Sequence, residues 1–321
     1  MQKTILVAAV LLFVQIGLAL ALNLGGSKYT TVAPNVAFLK IDPAAVSSIA
    51  ITDKDGQKLV LQKQKSGWTL PGTFSAPASA QQVNDLLKKL AGIKEGLAVA
   101  TTSGSAERFK TAKDDFERHL VLKQGDKVAA DFYLGSSDGI HHTFARKSGD
   151  NSVSSIALAS YAVAPNPDKW LDKDIAGLKK DKISAITLAD ITLSRKDKAW
   201  QLGGVPKKET NTEKVGQLVD QVCNLRVQSV LAPKTVAGLF DGKPAFAFSV
   251  KLKDGTDRKY AFAKPKEKKA DYYVLKLSDR NFYFKVYNWQ VEKLQKFTLA
   301  SLRTSPPKKE KTEKNEKTKQ K

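Results

Sequence analysis

The fold is decided by two segments built on one plan, 68-WTLPGTFSAPASAQQVNDLLKKLAGI-93 and 200-WQLGGVPKKETNTEKVGQLVDQVCNL-225. Each opens with a W-x-L triplet, and the two tryptophans are 132 residues apart (200 − 68). Five apolar positions repeat at this same offset: Val83, Leu86, Leu87, Leu90 and Ile93 match Val215, Leu218, Val219, Val222 and Leu225. A constant offset over a tryptophan and five apolar positions indicates an internal duplication.

The apolar positions in each segment have the spacing of an amphipathic helix. They stand 3, 4, 7 and 10 residues after the first one, which places all five side chains on one helical face. Ser79 and Asn211 precede the two patterns and are suitable N-caps. Each copy is therefore predicted to contain one main amphipathic helix.

Alternating apolar residues around short polar turns predict β-hairpins in both copies. Before the helices these turns lie at residues 53–56 and 189–190, and after the helices they lie at residues 124–125 and 254–255. Two further strands are predicted in each copy, at residues 143–146 and 153–158 and at residues 272–277 and 282–286. Hairpin-linked strands pair antiparallel, so the sequence predicts an α+β fold of two tandem sheet modules with helices on one face.

These patterns divide the chain into five predicted parts. Residues 1–25 form a transmembrane anchor or signal peptide and residues 26–40 a linker; the first module spans residues 41–176 and the second residues 177–304. The last part, residues 305–321, is a Lys-rich tail in which the stretch from Lys308 to Lys321 holds seven lysines, three glutamates and no apolar residue. Such a stretch has no apolar surface to bury, and we expect it to be disordered.

The N-terminal region is predicted to direct the chain out of the cytoplasm. The run of 21 residues from Thr4 to Leu24 is interrupted only by Thr4, Gln15 and Asn23, and at about 1.5 Å per residue it is long enough to cross a hydrocarbon layer of roughly 30 Å. A signal anchor explains its full length, whereas the small-x-small pattern Ala19-Leu20-Ala21 allows a signal peptide cleaved near Ala21. In both interpretations the body is extracytoplasmic, either tethered to the cytoplasmic membrane or soluble in the periplasm.

The composition is strongly basic. Lys and Arg number 53 against 32 Asp and Glu, for a formal net charge of +21. A surface of this sign attracts anionic lipid head groups and acidic polymers. Most of the excess is Lys rather than Arg, the residue favoured for reading bases, so nucleic acid is not the expected partner.

The residues capable of chemistry are few. The single cysteine, Cys223, excludes an intramolecular disulfide, and it falls on or beside the apolar stripe of the second helix. The histidines are His119 and the adjacent pair His141-His142, whose side chains would point to opposite faces of a strand. No phosphate-binding loop, nucleophile elbow or H-E-x-x-H motif is present in the sequence. We expect no catalytic residues, no cofactor, no metal and no enzymatic activity.

One strand carries a candidate binding surface. Tyr283, Lys285 and Tyr287 alternate with Phe282, Phe284 and Val286, which predicts one apolar face and one face that is aromatic and basic. Tyr273, in the preceding strand, is added to this surface. The four residues Tyr273, Tyr283, Lys285 and Tyr287 are here called the aromatic–basic face, and they are the predicted site for a protein or an anionic glycan; an ordinary exposed sheet face is the alternative.

The order of these motifs resembles a bacterial family known as domain of unknown function 4340. The resemblance covers roughly residues 37–304 and rests on the two W-x-L and helix segments, on the Trp170-Leu171-Asp172-Lys173 junction, and on Gly238-Leu239 ahead of the strand at Phe246. The first copy departs from this pattern, because Arg108-Phe109 stands where the second has Gly-Leu.

The resemblance implies an N-terminal transmembrane helix, an extracytoplasmic body and frequent association with ABC-type export systems of the sort linked to gliding motility. It implies no catalytic residues. We therefore expect a non-enzymatic accessory or scaffold protein of an ABC-type transport or surface-assembly complex, held in the membrane by residues 4–24. The alternative is a periplasmic binding module for an anionic glycan or lipid.

Overall fold

The computed structural model describes residues 12, 14, 15, 36–196, 199–265, 267 and 270–304. The first sheet has the strand order β4-β3-β2-β1-β6-β7-β8-β9-β5. Its strands are β1 (Ser48–Asp53), β2 (Lys58–Gln64), β3 (Gly67–Leu70), β4 (Ala76–Pro77), β5 (Ala98–Ala100), β6 (Arg118–Gln124), β7 (Lys127–Ser137), β8 (Thr143–Lys147) and β9 (Val153–Ile156).

The second sheet has the order β12-β11-β10-β14-β15-β16-β17-β13. Its strands are β10 (Ile183–Leu188), β11 (Ile191–Lys196), β12 (Ala199–Leu202), β13 (Ser229–Leu231), β14 (Phe246–Leu252), β15 (Asp257–Ala263), β16 (Tyr272–Leu277) and β17 (Tyr283–Tyr287). The α-helices of the described residues are α1 (Ala80–Gly92), α2 (Ser105–Arg108), α3 (Pro167–Trp170), α4 (Thr212–Cys223) and α5 (Asn288–Gln295).

The two sheets repeat one topology. Without the short strand β4, the orders β3-β2-β1-β6-β7-β8-β9-β5 and β12-β11-β10-β14-β15-β16-β17-β13 correspond strand by strand. The paired strands run antiparallel, as hairpin connections require. The prediction of an α+β chain with two antiparallel sheet modules is confirmed.

The helices α1 and α4 hold the first four positions of each predicted apolar stripe, whereas Ile93 and Leu225 follow the last helical residues. All ten side chains are buried, and the most exposed of them, Leu86, keeps only 6% of its surface accessible. The Asn211 side chain accepts a hydrogen bond of 3.0 Å from the Lys214 amide, and Ser79 accepts one of 3.4 Å from the Gln82 amide. Both predicted N-caps are thereby confirmed, although the Ser79 bond is long.

Short edge strands escaped the sequence analysis. The strands β5 and β13 have three residues each and β4 has two, too few to show an alternating pattern. The matched tryptophans also differ: Trp68 is buried, whereas Trp200 is half-buried with the Arg195 guanidinium 6.0 Å from its ring centroid.

The described residues divide into two compact units, each made of two stretches of the chain. The first unit lies within Met1–Lys58 and Leu86–Ala164, and the second lies within Leu59–Asp85 and Pro165–Lys321. The module ranges 41–176 and 177–304 follow the sequence repeat and stay predictions. The predicted anchor at residues 4–24 (apart from residues 12, 14 and 15), most of the linker and the tail at residues 305–321 lie outside the described residues. In the described part of the chain, no helix has the length and apolar character needed to span a membrane.

Candidate functional site

The outer face of the second sheet is crossed by the chain itself. Strand β13 lies at the edge beside β17, whereas the next strand, β14, lies in the middle of the sheet beside β15. Residues 232–245, here called the second crossing segment, must therefore pass over β17, β16 and β15. Residues 101–117, the first crossing segment, make the same passage over β9, β8 and β7 in the first sheet.

The strand register separates the four predicted residues of the aromatic–basic face. Tyr287 of β17 pairs with Tyr272 of β16, and Lys285 pairs with Val274, so these side chains share one face with Tyr283. Tyr273 pairs with Val286 on the opposite face and is only 3% exposed. Tyr273 does not lie on this face, because neighbouring residues of a strand point to opposite sides; Tyr272 takes the position.

Tyr283 lies on the predicted face but is packed against the second crossing segment. The Phe240 ring stacks on it with centroids 5.4 Å apart and an angle of 24° between the planes. The Lys276 ammonium lies 5.8 Å from the centroid of the same Phe240 ring. Tyr283 therefore helps to hold the crossing segment on the sheet.

Lys285 opens toward a pocket beneath the second crossing segment. Its Nζ lies 4.6 Å from the centroid of the Tyr272 ring, a cation–π distance. Both residues line a pocket of about 260 Å³, together with Leu231, Thr235, Val236, Ala237, Leu239, Pro265, Glu267 and Val274. Burial raises the pKa of the nearby Asp168 carboxyl above its ordinary value, and the charges of Lys173 and Lys285 oppose that rise.

The last predicted residue, Tyr287, belongs to an exposed aromatic pair. It stacks on Trp289 at the start of helix α5 with centroids 6.3 Å apart, and the two side chains are 45% and 53% exposed. The Lys293 ammonium lies 4.9 Å from the Trp289 ring centroid. Tyr287, Trp289 and Lys293 are here called the aromatic patch, which the alternation on β17 indicated only in part, because Trp289 and Lys293 lie on the following helix.

The histidines and the cysteine differ in their surroundings. His119 forms a 2.7 Å contact from Nε2 to the Asp131 carboxylate and stacks on Tyr133. His141 and His142 are exposed, and no group of three or more His, Cys, Asp or Glu side chains in the described residues is arranged to hold a metal ion. Cys223 is half-buried, and burial, with the charge of Asp220, raises the pKa of its thiol.

Comparison with known proteins identifies the family of the chain. The sequence profile of the family described as "Domain of unknown function (DUF4340)" matches residues 68–241, which is more than half of the chain and includes both W-x-L and helix segments. The chain belongs to this family. The DUF4340 match ends within the second crossing segment, after Phe240. No curated protein and no solved structure gives a significant match to the chain.

Proposed function

We propose that this DUF4340 protein is a non-enzymatic, extracytoplasmic component of an ABC-type transport or surface-assembly complex. In this role residues 4–24 tether the chain to the cytoplasmic membrane, and the two sheet modules form a scaffold on the outer side. The apolar run before the body supports the tether, and the duplicated topology supports a scaffold whose elements serve mainly to pack two cores.

The observation that carries the proposal is the aromatic patch. Tyr and Trp are enriched in the buried centres of protein interfaces, and they cost little conformational entropy to fix. In this protein Tyr287 and Trp289 stack on each other while about half of each side chain stays open to solvent. A partner that covers them would bury apolar ring surface that the monomer leaves in water.

Co-purification of the full chain from native membranes, extracted with a mild detergent, tests this role. We expect ABC permease and ATPase subunits to be retained by the wild-type protein and strongly reduced with Trp289→Ala or Tyr287→Ala. Tyr161→Ala removes another exposed aromatic side chain from a different part of the chain and serves as the matched control. Recovery of the wild-type protein alone, with no membrane partner, would contradict the proposal.

The membrane arrangement has its own test. Ile140 is the most exposed of the large apolar side chains among the described residues, so an Ile140→Cys variant in a Cys223→Ser background offers one accessible thiol. A membrane-impermeant maleimide should label it in cells with a permeabilised outer envelope and an intact cytoplasmic membrane. Resistance to extraction with alkaline carbonate distinguishes the anchor from a signal peptide cleaved near Ala21.

A second candidate function is a periplasmic binding module for an anionic glycan or lipid. It is favoured by the lysine–aromatic contacts of Lys285 with Tyr272 and Lys293 with Trp289, on a chain with a formal net charge of +21. Binding of this kind weakens steeply with salt, because it replaces the counterions around exposed charges. The protein should be retained on an acidic polysaccharide or on phosphatidylglycerol vesicles at low salt and released as salt rises; no retention at low salt would eliminate this candidate.

A further inference from the structure

The two modules differ where the crossing segments meet their sheets. In the first module Gly135 permits close backbone contact: a Cβ there would lie 1.9 Å from the Phe109 carbonyl oxygen. The Ser136 amide donates to that carbonyl over 3.0 Å. The first crossing segment therefore lies directly on its sheet.

The corresponding position of the second module is an alanine. Phe132 pairs with Leu120 in the first sheet as Tyr260 pairs with Phe248 in the second. Counting three residues onward from Phe132 and Tyr260 reaches Gly135 and Ala263 respectively. The methyl group of Ala263 excludes the close backbone approach that Gly135 allows.

The side chains beneath the crossing segments also differ between the two modules. In the first module Phe144 pairs with Ser155, and its ring packs against that of Phe109 with centroids 4.6 Å apart. In the second module the matching cross-strand pair is Val274 with Lys285. The smaller Val274 side chain leaves open space that the Phe144 ring fills in the first module, and Val274 and Lys285 both line the pocket of about 260 Å³.

The pocket has an apolar wall and charged residues in its lining. Leu231, Val236, Leu239 and Val274 supply an aliphatic wall, and the lining also includes the side chains of Lys285, Glu267 and Tyr272. Apolar cavities of about 150 Å³ already take up benzene, so this volume suffices for one aromatic ring or a short acyl chain with a head group. Among the described residues, no carboxylate lies within ion-pair distance of the Lys285 ammonium, although its charge acts on the nearby Asp168 carboxyl.

We propose that this pocket binds a small amphiphilic anion, with its compact apolar body against the aliphatic wall and its carboxylate on Lys285. A carboxylate accepts a charge-assisted hydrogen bond from an ammonium, while burial of the apolar body excludes water from that bond. Glu267 on the pocket lining carries the opposite charge to Lys285, but no salt bridge joins the two side chains.

The site goes beyond the proposed scaffold role and does not depend on it, because no partner protein is needed to form the pocket. The test uses the full chain in phosphatidylcholine nanodiscs, with benzoate and hexanoate as probes and the neutral amides benzamide and hexanamide as matched controls. Isothermal titration should show saturable binding of at least one acid, about tenfold or more tighter than its amide, since a hydrogen bond to a charged group is among the strong ones.

Two variants copy the first module into the second. Lys285→Ser introduces the residue found at the matching position, Ser155, and should bring the acid down to the affinity of its amide. Val274→Phe introduces the counterpart of Phe144 and should abolish binding of both by filling the pocket. A thermal melt checks the fold of each, and Lys285→Ser alone still decides the question if Val274→Phe does not fold.

Three results would overturn the proposal: no saturable binding of either acid, equal binding of acid and amide, or unchanged acid binding by Lys285→Ser. Phosphatidylglycerol vesicles show whether the ligand of the pocket is a free small acid or a membrane lipid. If Val274→Phe loses acid binding but still binds vesicles, the pocket takes a free acid. If the wild type binds no acid and Val274→Phe loses vesicle binding, the ligand is a lipid and the proposal of a free acid is wrong. Co-purification of membrane partners would be unaffected in every case, so failure of this inference is distinct from failure of the scaffold role.

Discussion

The backbone amide of Asn211 donates a hydrogen bond of 2.8 Å to the carbonyl oxygen of Leu302. The same bond joins Ser79 to Trp170 over 2.7 Å, 132 residues earlier at both ends. The isolated bridges Ala78 with Leu171 and Thr210 with Arg303 repeat at this offset as well. The period read from the tryptophans therefore continues to the last described turn, which returns to the residue that caps helix α4.

Leu302 secures this closing contact of the second module. Its side chain is fully buried, so Leu302→Ala should lower the free energy of unfolding by about 2–4 kcal/mol through lost burial and the cavity left behind. Urea-induced unfolding followed by circular dichroism measures the change. The neighbouring exposed residue supplies the control, since Arg303→Ala should change stability by less than about 0.5 kcal/mol. Equal effects of the two substitutions would show that the closing turn adds no packing energy.

The helix caps should differ in strength. Asn211→Ala removes an acceptor that lies 3.0 Å from the Lys214 amide and should cost about 1 kcal/mol, whereas Asn211→Asp keeps the cap and should cost little. Ser79→Ala should cost less than Asn211→Ala, because its bond of 3.4 Å to Gln82 is near the limit of a hydrogen bond. The denaturant midpoints of the three variants rank their losses of stability, provided that the unfolding free energy depends equally steeply on denaturant in all three.

Two glycine substitutions should change the stability of the protein in opposite directions. Gly135→Ala forces a Cβ against the Phe109 and Lys110 carbonyl oxygens, at 1.9 and 2.6 Å, and should destabilise the protein by at least about 2 kcal/mol. Gly216→Ala, inside helix α4 and with no atom beyond its own stretch of helix within 4 Å of the new Cβ, should stabilise it by about 0.5–1 kcal/mol. Thermal unfolding measures the change in stability of each variant. A Gly135→Ala variant as stable as the wild type would contradict the close approach of the first crossing segment to its sheet.

Tyr260 should make the protein sensitive to alkali. Burial raises the pKa of Tyr260 to about 12 from 10.0, and its hydroxyl donates to the Ala176 carbonyl over 2.9 Å. The folded state thus holds this proton more tightly than the unfolded chain. The stability it contributes is complete below pH 10 and is lost as the pH rises through about 12, with a total on the order of 3 kcal/mol.

Unfolding monitored from pH 8 to 12 tests this effect. Tyr260→Phe should flatten the alkaline loss of stability, at a cost of about 1 kcal/mol near neutral pH because the Ala176 carbonyl loses its donor. Tyr287→Phe, at an exposed position, should follow the wild-type profile. An unchanged alkaline profile in Tyr260→Phe would assign the effect to other groups.

The local pattern of this sequence was sufficient for most of the fold. The apolar stripes of α1 and α4, their caps and the hairpin turns at Gly125 and Gly255 depend on neighbours within a few residues, so periodicity reveals them. The edge strands β5 and β13 could not be found in this way. They are three residues long, and only their pairing with β9 and β17 makes them strands.

The candidate site depended more on the tertiary structure. Alternation along β17 correctly put Tyr283, Lys285 and Tyr287 on one face, but two adjacent tyrosines precede them in β16. Only the register, with Tyr272 opposite Tyr287, decides that Tyr272 lies on this face and Tyr273 on the other. Sequence alone also gave no sign that Phe240 covers Tyr283.

The duplicated α+β plan is predictable without coordinates, because the offset of 132 can be read along the chain and the periods of helix and strand depend only on neighbouring residues. Which surface remains open depends on contacts between distant parts of the folded chain. The second crossing segment must span three strands, and how closely it lies on them is set by side chains that meet only after folding. Gly135 with Phe144 closes that space in the first module, and Ala263 with Val274 leaves it open beside Lys285 in the second.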